Sequence, residues 1–323
     1  MERSSQCPVC LNDCQGEEEV IVLNALFPVF ALLLCGIILK RMGLIDPEFL
    51  KKSDRLIYYF FFPVMLFWKI GGASFGGPED WRFCGACLAA LGLMFLISTL
   101  LIPLTRIGAY QAGTFSQSCY RFNTYIGVAV ILNGVGSEGL ASFGVMIGFA
   151  IPIINVVAVS VLIWYGGEKM DLLHRLRITG RAILSNPLIL GCIAGIGYSR
   201  LIGGFPDFID KSLSLASMVA LPLALLSVGG SLNFSGVRHH LKNATLAVFC
   251  KLVLLPLLGY ATLTLFGVEG NLFRVGMIFF ALPASTAIYV LSSQMNSDTE
   301  LAGATIVLST LFSFVSLSVA LLL

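Results

Sequence analysis

Ten apolar runs, separated by charged or glycine- and proline-rich breaks, constrain the fold of this chain more than any other feature. They cover residues 21–40, 48–70, 82–105, 117–134, 138–165, 186–204, 211–232, 239–266, 272–295 and 299–323. A bilayer core about 30 Å thick needs about 20 mostly apolar residues per helix. Charged residues make up only 12% of the chain, against about 25% in soluble domains. The sequence therefore predicts an all-α integral membrane protein with ten transmembrane helices.

The remaining composition excludes several classes of function. Continuous apolar runs disfavour a membrane β-barrel, whose strands would alternate in hydrophobicity. A net charge of +2 without a basic stripe predicts no nucleic-acid partner. The sequence has no phosphate-binding loop, so an ATP-driven pump is not supported. Cys7, Cys10 and Cys14 lie on a polar tail without a fourth ligand nearby, so neither a metal site nor a cofactor is predicted.

One catalytic motif is present by spacing alone. Residues Gly72–Gly76 read GASFG and match the G-x-S-x-G pattern of serine hydrolases. That motif requires a strand–turn–helix context with histidine and acidic partners. Here it follows an apolar helix, and the three histidines fall at the other membrane face in the predicted topology. We therefore expect the chain not to be an enzyme.

The chain repeats itself after 159 residues. Asp46–Leu66 reads DPEFLKKSDRLIYYFFFPVML, and Phe205–Leu225 reads FPDFIDKSLSLASMVALPLAL. Three proline pairs share this register: Pro28/Pro187, Pro47/Pro206 and Pro63/Pro222. Each half holds five predicted helices, an odd number, so the second half would be inverted in the membrane, as in secondary transporters. The predicted organisation is a tail at 1–20, repeats at 21–165 and 186–323, and a linker at 166–185.

The orientation follows from the positively charged loops. With the N-terminus outside, thirteen lysines and arginines, Arg121 among them, fall on the inner side and six on the outer side. Because cytoplasmic loops carry the excess of positive charge, both termini are predicted outside, with the linker in the cytoplasm. The expected location is the plasma (inner) membrane, which the chain crosses several times.

Two predicted helices contain features that interrupt a helix. The ninth holds Pro283 at mid-span, followed by Ser285 and Thr286, and proline removes a backbone hydrogen bond. The fourth holds Asn123, Thr124 and Gly127 about 160 residues earlier. Interrupted helices at corresponding places of two repeats indicate a substrate site. Packing is the alternative explanation, because membrane helices also use such residues at their contacts.

Taken in order, these segments resemble the auxin efflux carrier family, which includes plant PIN exporters and bacterial relatives linked to malonate. The resemblance rests on FPVFALLLCGIILKRMGLID, LIYYFFFPVMLF, RFNTYIGVAV, GSEGLA, SNPLILGCIAGI, ALPLALLSVGGSL, KLVLLPLL, ALPASTAIYVL and DTELAGATIVLSTLFS. It covers the chain after about residue 21. The family often has a proline after the glycine of helix four. Val128 and Ala129 follow Gly127 here, so a milder break is expected.

The resemblance implies a ten-helix fold related to the bile-acid/sodium symporters. Helices four and nine would cross as broken helices, helices 1, 2, 6 and 7 would form a scaffold, and helices 3–5 and 8–10 would form a moving transport domain. A homodimer through the scaffold helices is the corresponding assembly. The expected partners are the lipid bilayer and a small organic anion such as malonate, malate, lactate or an auxin-like acid. Transport would proceed by alternating access of the elevator type; a channel or a membrane receptor is the alternative function.

The predicted substrate-binding residues surround the two breaks. They are Asn123, Thr124, Tyr125, Gly127, Asn155, Lys251, Pro283, Ala284, Ser285 and Thr286. Asn155 is included because a lone amide among aliphatic residues needs a partner, which could equally be a neighbouring helix. Lys251 is expected to face the protein interior, where it either caps carbonyls of the broken helix nine or attracts the anion. No Asp or Glu is expected at mid-membrane depth, which favours transport without a coupling ion.

Overall fold

The structure is a computed structural model that describes residues 8–72, 77–166, 185, 187–233 and 237–323, with the backbone alone at 8–19 and 21. Within these ranges every regular element is a helix. The first half contains α1 (Pro8–Arg41), α2 (Pro47–Leu56), α3 (Phe62–Gly71), α4 (Pro78–Leu104), α5 (Ala109–Tyr120), α6 (Thr124–Gly134) and α7 (Ser137–Gly166). The second contains α8 (Pro187–Leu201), α9 (Asp207–Ser231), α10 (Leu241–Phe249), α11 (Leu255–Leu265), α12 (Gly270–Ala281), α13 (Ala287–Gln294) and α14 (Thr299–Leu322). Single π-helical turns, Ile57–Phe61 and Cys250–Leu254, join α2 to α3 and α10 to α11.

In the described part of the chain, six helices are long and apolar enough to cross a membrane. They are Val22–Arg41, Pro78–Leu104, Ser137–Gly166, Asp207–Ser231, Leu241–Leu265 and Thr299–Leu322. Pro187–Leu201 and Gly270–Ala281 are shorter apolar helices. Many of their large side chains, such as Leu100, Val315 and Met218, are exposed, as expected where lipid covers the protein. These features agree with the predicted all-α membrane class.

Some predicted boundaries differ from the structure. Helix α1 begins at Pro8, so most of the segment predicted as a tail is helical. The fourth predicted run began at 117, but its helix begins at Ala109. The predicted 166–185 linker lies outside the described residues except at its two ends, and so do residues 73–76 of the GASFG motif.

Helix α5 escaped the sequence analysis because it is polar. Three of its side chains, those of Gln111, Thr114 and Gln117, point to partners far along the chain. Thr114 Oγ1 lies 2.7 Å from Ser292 Oγ and 2.8 Å from Ser297 Oγ. Gln117 Nε2 donates to Ser292 Oγ at 3.0 Å, and Gln111 Nε2 donates to Asp298 Oδ2 at 2.9 Å. Because these groups satisfy one another, the helix is buried without an apolar sequence.

Two close helix pairs are related by the sequence repeat. Helix α1 packs on α9, and α3 packs on α8. A Cβ atom on Gly36 would collide with the backbone carbonyl of Leu226, and one on Gly195 would lie 3.1 Å from the Phe67 carbonyl oxygen. Gly195 and Leu226 are the residues 159 positions after Gly36 and Phe67. The two halves of the chain therefore exchange equivalent contacts, helix against helix.

Candidate functional site: a cavity at two broken helices

The two interrupted helices meet through their backbones. The first break, residues 121–123, separates α5 from α6; the second, residues 282–286, separates α12 from α13. The Asn123 N–H donates to the Pro283 carbonyl at 2.9 Å. The Asn123 side chain caps α6, since its Oδ1 accepts from the N–H groups of Tyr125 and Ile126 at 3.1 and 3.2 Å. Each break thus satisfies part of the backbone that the other exposes.

Neighbouring side chains satisfy three further backbone groups at the second break. Lys251 Nζ donates to the Phe280 carbonyl at 3.1 Å, and Ser316 Oγ donates to the Ala281 carbonyl at 2.9 Å. The Ala284 N–H donates to Ser309 Oγ at 3.0 Å. Unpaired backbone groups are costly at membrane depth, so these three bonds stabilise the interruption of the helix.

A cavity of about 1460 Å³ lies beside this crossing. Six of the predicted site residues line it: Asn123, Thr124, Tyr125, Asn155, Ser285 and Thr286. Its walls also include the exposed side chains of Arg55, His239 and Gln294. The cavity therefore reaches the protein surface where these three residues lie. Thr124 and Ala287, the first residues of α6 and α13, both line the cavity. The N-terminal ends of these two helices therefore reach it.

Four predicted site residues do not line the cavity. Gly127 lies within α6, where an added Cβ would sit 2.7 Å from Leu282 Cδ1. Pro283 and Ala284 are buried in the second break, where their backbones make the bonds described above. Lys251 has no exposed surface, and its ammonium is held at the Phe280 carbonyl. The structure thus gives Lys251 the capping geometry rather than a position facing the cavity.

Arg121 is the largest difference from the predicted site. The sequence predicts it as one of the loop cations, but it forms the start of the first break and lines the cavity. Its Nη2 donates to Asn155 Oδ1 at 2.7 Å, and its Nη1 donates to Gln117 Oε1 at 3.3 Å. No ion pair of Arg121 is present among the described residues. A guanidinium held by two neutral amides keeps its charge available for an anion.

The amide of Asn123 provides a second donor. Its Oδ1 is occupied by the α6 cap, whereas its Nδ2, although buried, has no hydrogen-bond partner in the described part of the chain. An unpaired buried donor is uncommon and calls for an explanation. Together with Arg121, it makes the crossing rich in hydrogen-bond donors.

Comparison with known proteins identifies the family. The sequence pattern of the family described as membrane transport protein matches residues 21–321. This chain belongs to that family. The predicted resemblance to the auxin efflux carrier family is therefore confirmed, as is the expectation of a transporter that crosses the membrane several times.

Three transporters are similar to this chain over nearly their whole length. An "Uncharacterized transporter" of Methanothermobacter thermautotrophicus is 26% identical over 300 residues, covering 90% of this chain and 94% of the relative. A "Putative malonate transporter" of Rhizobium meliloti is 22% identical over 301 residues, with coverage of 90% and 92%. An uncharacterized transporter of Methanocaldococcus jannaschii is 22% identical, with coverage of 91% and 96%.

The cavity wall of this transporter also includes a carboxylate near the end that opens to the surface. Asp54 lies in α2 and lines the cavity, half-buried, and accepts a hydrogen bond from the Ser227 hydroxyl of α9. Tyr58, one turn further along the chain, lines the same wall. Asp54 follows Lys51 and Lys52 and precedes Arg55, and this charged neighbourhood reads as a membrane edge. Only the packing of α2 against α9 reveals that it faces inward.

Proposed function

We propose that this protein is a secondary transporter that moves small organic anions across the plasma membrane by alternating access. The observation that carries the proposal is the convergence of Arg121, Asn123 and two helix N-termini on one cavity. The N-terminus of a helix is the positive end of its dipole, which favours a carboxylate nearby. The guanidinium adds a full positive charge with paired donors that match a carboxylate.

The movement is proposed to be of the elevator type, in ten spans arranged as two inverted repeats. The exchanged contacts of Gly36 with Leu226 and of Gly195 with Phe67 support this arrangement, because they relate α1 and α9 to α8 and α3. These helices would form the fixed scaffold, and a homodimer would use the same scaffold. The broken helices and their neighbours would carry the substrate.

The described state is proposed to be open to the cytoplasm. The cavity reaches the surface at Arg55 and His239, which the distribution of positive charge places on the inner side. Both termini would then lie outside. An inverted repeat offers a second state of similar energy, open to the opposite side.

Short carboxylates are the proposed substrates. The name of the Rhizobium relative makes malonate the first candidate, and malate, lactate and indole-acetate cover hydroxylated, monovalent and aromatic acids. Uptake of each by proteoliposomes under imposed gradients tests the proposal. Saturating initial rates and competition among carboxylates are expected. Continuous currents through single molecules would instead indicate a channel.

Asn123 provides the sharpest variant for this experiment. Asn123→Asp keeps the oxygen that caps α6 but replaces the free Nδ2 donor with negative charge, so anion uptake should be lost while the fold is retained. Asn123→Ala should also abolish transport, with a helix-cap cost of about 0.5–2 kcal/mol. The matched control is Asn271→Ala, an exposed asparagine at the start of α12. Normal uptake by a folded Asn123→Asp protein would exclude the crossing as the binding site.

A further inference from the structure

We propose that Asp54 is a proton-binding site in the cavity, and that an anion entering from the open side binds together with one proton on this carboxyl group. The inference rests on the proposed function, since it assumes that the crossing binds anions. It gives the transporter an affinity for the anion that depends on pH, a property that membership of the family does not imply. It also gives a role to the cavity-wall carboxylate that anion binding at the crossing leaves unexplained.

The contacts of Asp54 leave its charge largely uncompensated. The Ser227 hydroxyl donates to Oδ1 from the adjacent helix α9. The ion pairs among the described residues do not include Asp54. One neutral hydrogen bond stabilises an ionised carboxylate less than a guanidinium or an ammonium does. The group can therefore exchange its proton with water in the cavity without a structural ion pair being broken.

The other titratable groups around Asp54 do not replace a direct partner. Its own helical segment contributes Arg55, which is exposed, and Tyr58; α9 contributes only the Ser227 hydroxyl. Tyr125 on α6 also lines the cavity, and its ring is held edge-on against Phe62 with centroids 4.5 Å apart. The remaining charged or titratable groups on the cavity wall are Lys40, Tyr59, Arg121, His239, Tyr289 and Glu300. Of these, Arg121 is the cation at the crossing.

An incoming anion changes the electrostatic balance of this cavity. With the cavity empty, an ionised Asp54 and the Arg121 guanidinium line the same cavity. A bound carboxylate neutralises Arg121 and adds a second negative charge to that space. Like charges in a partly desolvated site disfavour each other, so one of them takes up a proton. The substrate is held by several donors at the crossing, whereas Asp54 has a single neutral one, so the proton goes to Asp54.

The location of Asp54 also determines where this proton is released. Asp54 and Ser227 lie on α2 and α9, in the proposed scaffold, and the anion site lies at the breaks of the moving part. The proton is therefore taken up and returned on the same side of the membrane. Consequently, the affinity depends on the pH of that side, while the charge carried across remains that of the anion.

The test is a binding measurement with the purified full-length transporter and malonate as the probe. Isothermal titration at several pH values above the second ionisation of malonate, in buffers of different ionisation enthalpy, gives both the affinity and the number of protons taken up. The wild type is expected to take up as much as one proton per malonate. Its Kd should then rise by up to about tenfold per pH unit once the free protein has lost the proton.

Two variants identify Asp54 as the site of uptake. Asp54→Asn keeps the size and the acceptor for Ser227 but cannot titrate, so proton uptake and the slope of affinity against pH should both disappear. Ser227→Ala removes the donor that favours the ionised form, so the fall in affinity should begin at a higher pH. Glu300→Gln, an exposed carboxylate on the same cavity wall, is the matched control and should keep the wild-type slope.

The outcomes are distinguishable. Binding of malonate by the wild type without proton uptake overturns this inference and leaves the proposed function standing. Equal slopes of affinity against pH for the wild type and Asp54→Asn also overturn it. The inference is likewise wrong if Asp54 instead holds an ammonium group. In that case Asp54→Asn would lose affinity for glycine, and the slope of malonate affinity against pH would not change. Failure of every carboxylate in the panel to bind overturns the proposed function and this inference together.

Discussion

Arg121 concentrates the chemistry of this transporter in one side chain. It lies in the three-residue break before α6, and the amides of Gln117 and Asn155 orient its guanidinium toward the cavity. Neutral acceptors can hold an arginine without cancelling its charge. The residue is therefore positioned for a ligand rather than for an internal ion pair.

Replacement of Arg121 should weaken anion binding strongly. Hydrogen bonds to a charged group contribute about 1.5–3 kcal/mol, so Arg121→Gln should raise the Kd for malonate by about tenfold to more than 100-fold. Arg121→Lys should recover only part of this affinity, because lysine lacks the paired donors. The control is Arg82→Gln, an exposed arginine near the start of α4. An unchanged Kd in Arg121→Gln would remove Arg121 from the site.

Lys251 is expected to behave in the opposite way. Its ammonium is enclosed by protein and donates to the Phe280 carbonyl, away from the cavity. Lys251→Met keeps the length of the side chain but leaves that carbonyl unpaired, a loss of about 1–3 kcal/mol. We expect a shifted melting temperature with the malonate Kd unchanged within about twofold. A weakened Kd at intact thermal stability would show that the lysine acts on the anion.

Residue-level prediction succeeded where a side chain was chemically out of place. Asn155 stands among aliphatic residues, and its lone amide predicted a partner that the structure supplies as Arg121. Arg121 itself follows the polar sequence SQSC and a tyrosine, which reads as a loop, so its role was not predictable from local composition. Its position depends partly on Asn155, which lies 34 positions further along the chain.

Close packing of α1 against α9 depends on two glycines that leave room for backbone contact. A Cβ on Gly36 would meet the Leu226 carbonyl, and one on Gly229 would meet the Leu33 carbonyl. Backbone cannot move aside as a flexible side chain can, and overpacking typically costs about 1–3 kcal/mol. Gly36→Ala and Gly229→Ala should therefore lower the melting temperature in detergent.

The repeat provides an internal comparison for this prediction. At Gly195 the corresponding carbonyl, that of Phe67, would be 3.1 Å from the added Cβ, so Gly195→Ala should be milder. Gly92 in α4 has open space around it, and Gly92→Ala should be neutral or stabilising because alanine favours the helix. A melting temperature for Gly36→Ala equal to that of Gly92→Ala would contradict the close contact.

Helices could be predicted from sequence where lipid or apolar protein surrounds them, and not where polar partners do. Helix α5 was missed over its first two turns because Gln111 and Thr114 look like surface residues. Thr114 bonds to Ser292 in α13, and Gln111 bonds to Asp298 just beyond it, 178 and 187 residues later. The break before α6 was predicted from Asn123, which caps that helix. Gly127 was assigned to the break as well, but it lies one turn inside α6.

At the scale of the whole molecule, membrane voltage should drive the flux. A monovalent anion that leaves an inside-negative compartment gains about 2.3 kcal/mol per 100 mV, equivalent to about a 40-fold gradient. Efflux of lactate from preloaded proteoliposomes should therefore accelerate under an inside-negative potassium–valinomycin potential. Asp54→Asn should keep this response, since Asp54 lies outside the proposed moving part. Lactate efflux that ignores the potential would show that a counter-charge travels with the anion.

The two-part organisation is predicted from residues that recur after 159 positions in the sequence. Pro63 and Pro222, like Gly36 and Gly195, are related by the 159-residue register, and in the structure the glycine pair makes equivalent helix contacts. The crossing is much less similar between the halves. Asn123 and Pro283 lie in the two breaks but differ in chemistry. The hydrogen bond between them could therefore not be predicted from identical residues in the two halves.

The bond between Asn123 and Pro283 also has a consequence for how the cell makes this protein. Asn123, in the first break, is synthesised 160 residues before Pro283 in the second. During that interval the Asn123 N–H and the polar face of α5 have no native partners, in a solvent where such groups are costly. The first half of the chain should therefore be unstable in the membrane on its own. We expect it to stay next to the translocon until α12 and α13 have been synthesised. A chain truncated after its first half would expose these unpaired polar groups and become a target for degradation.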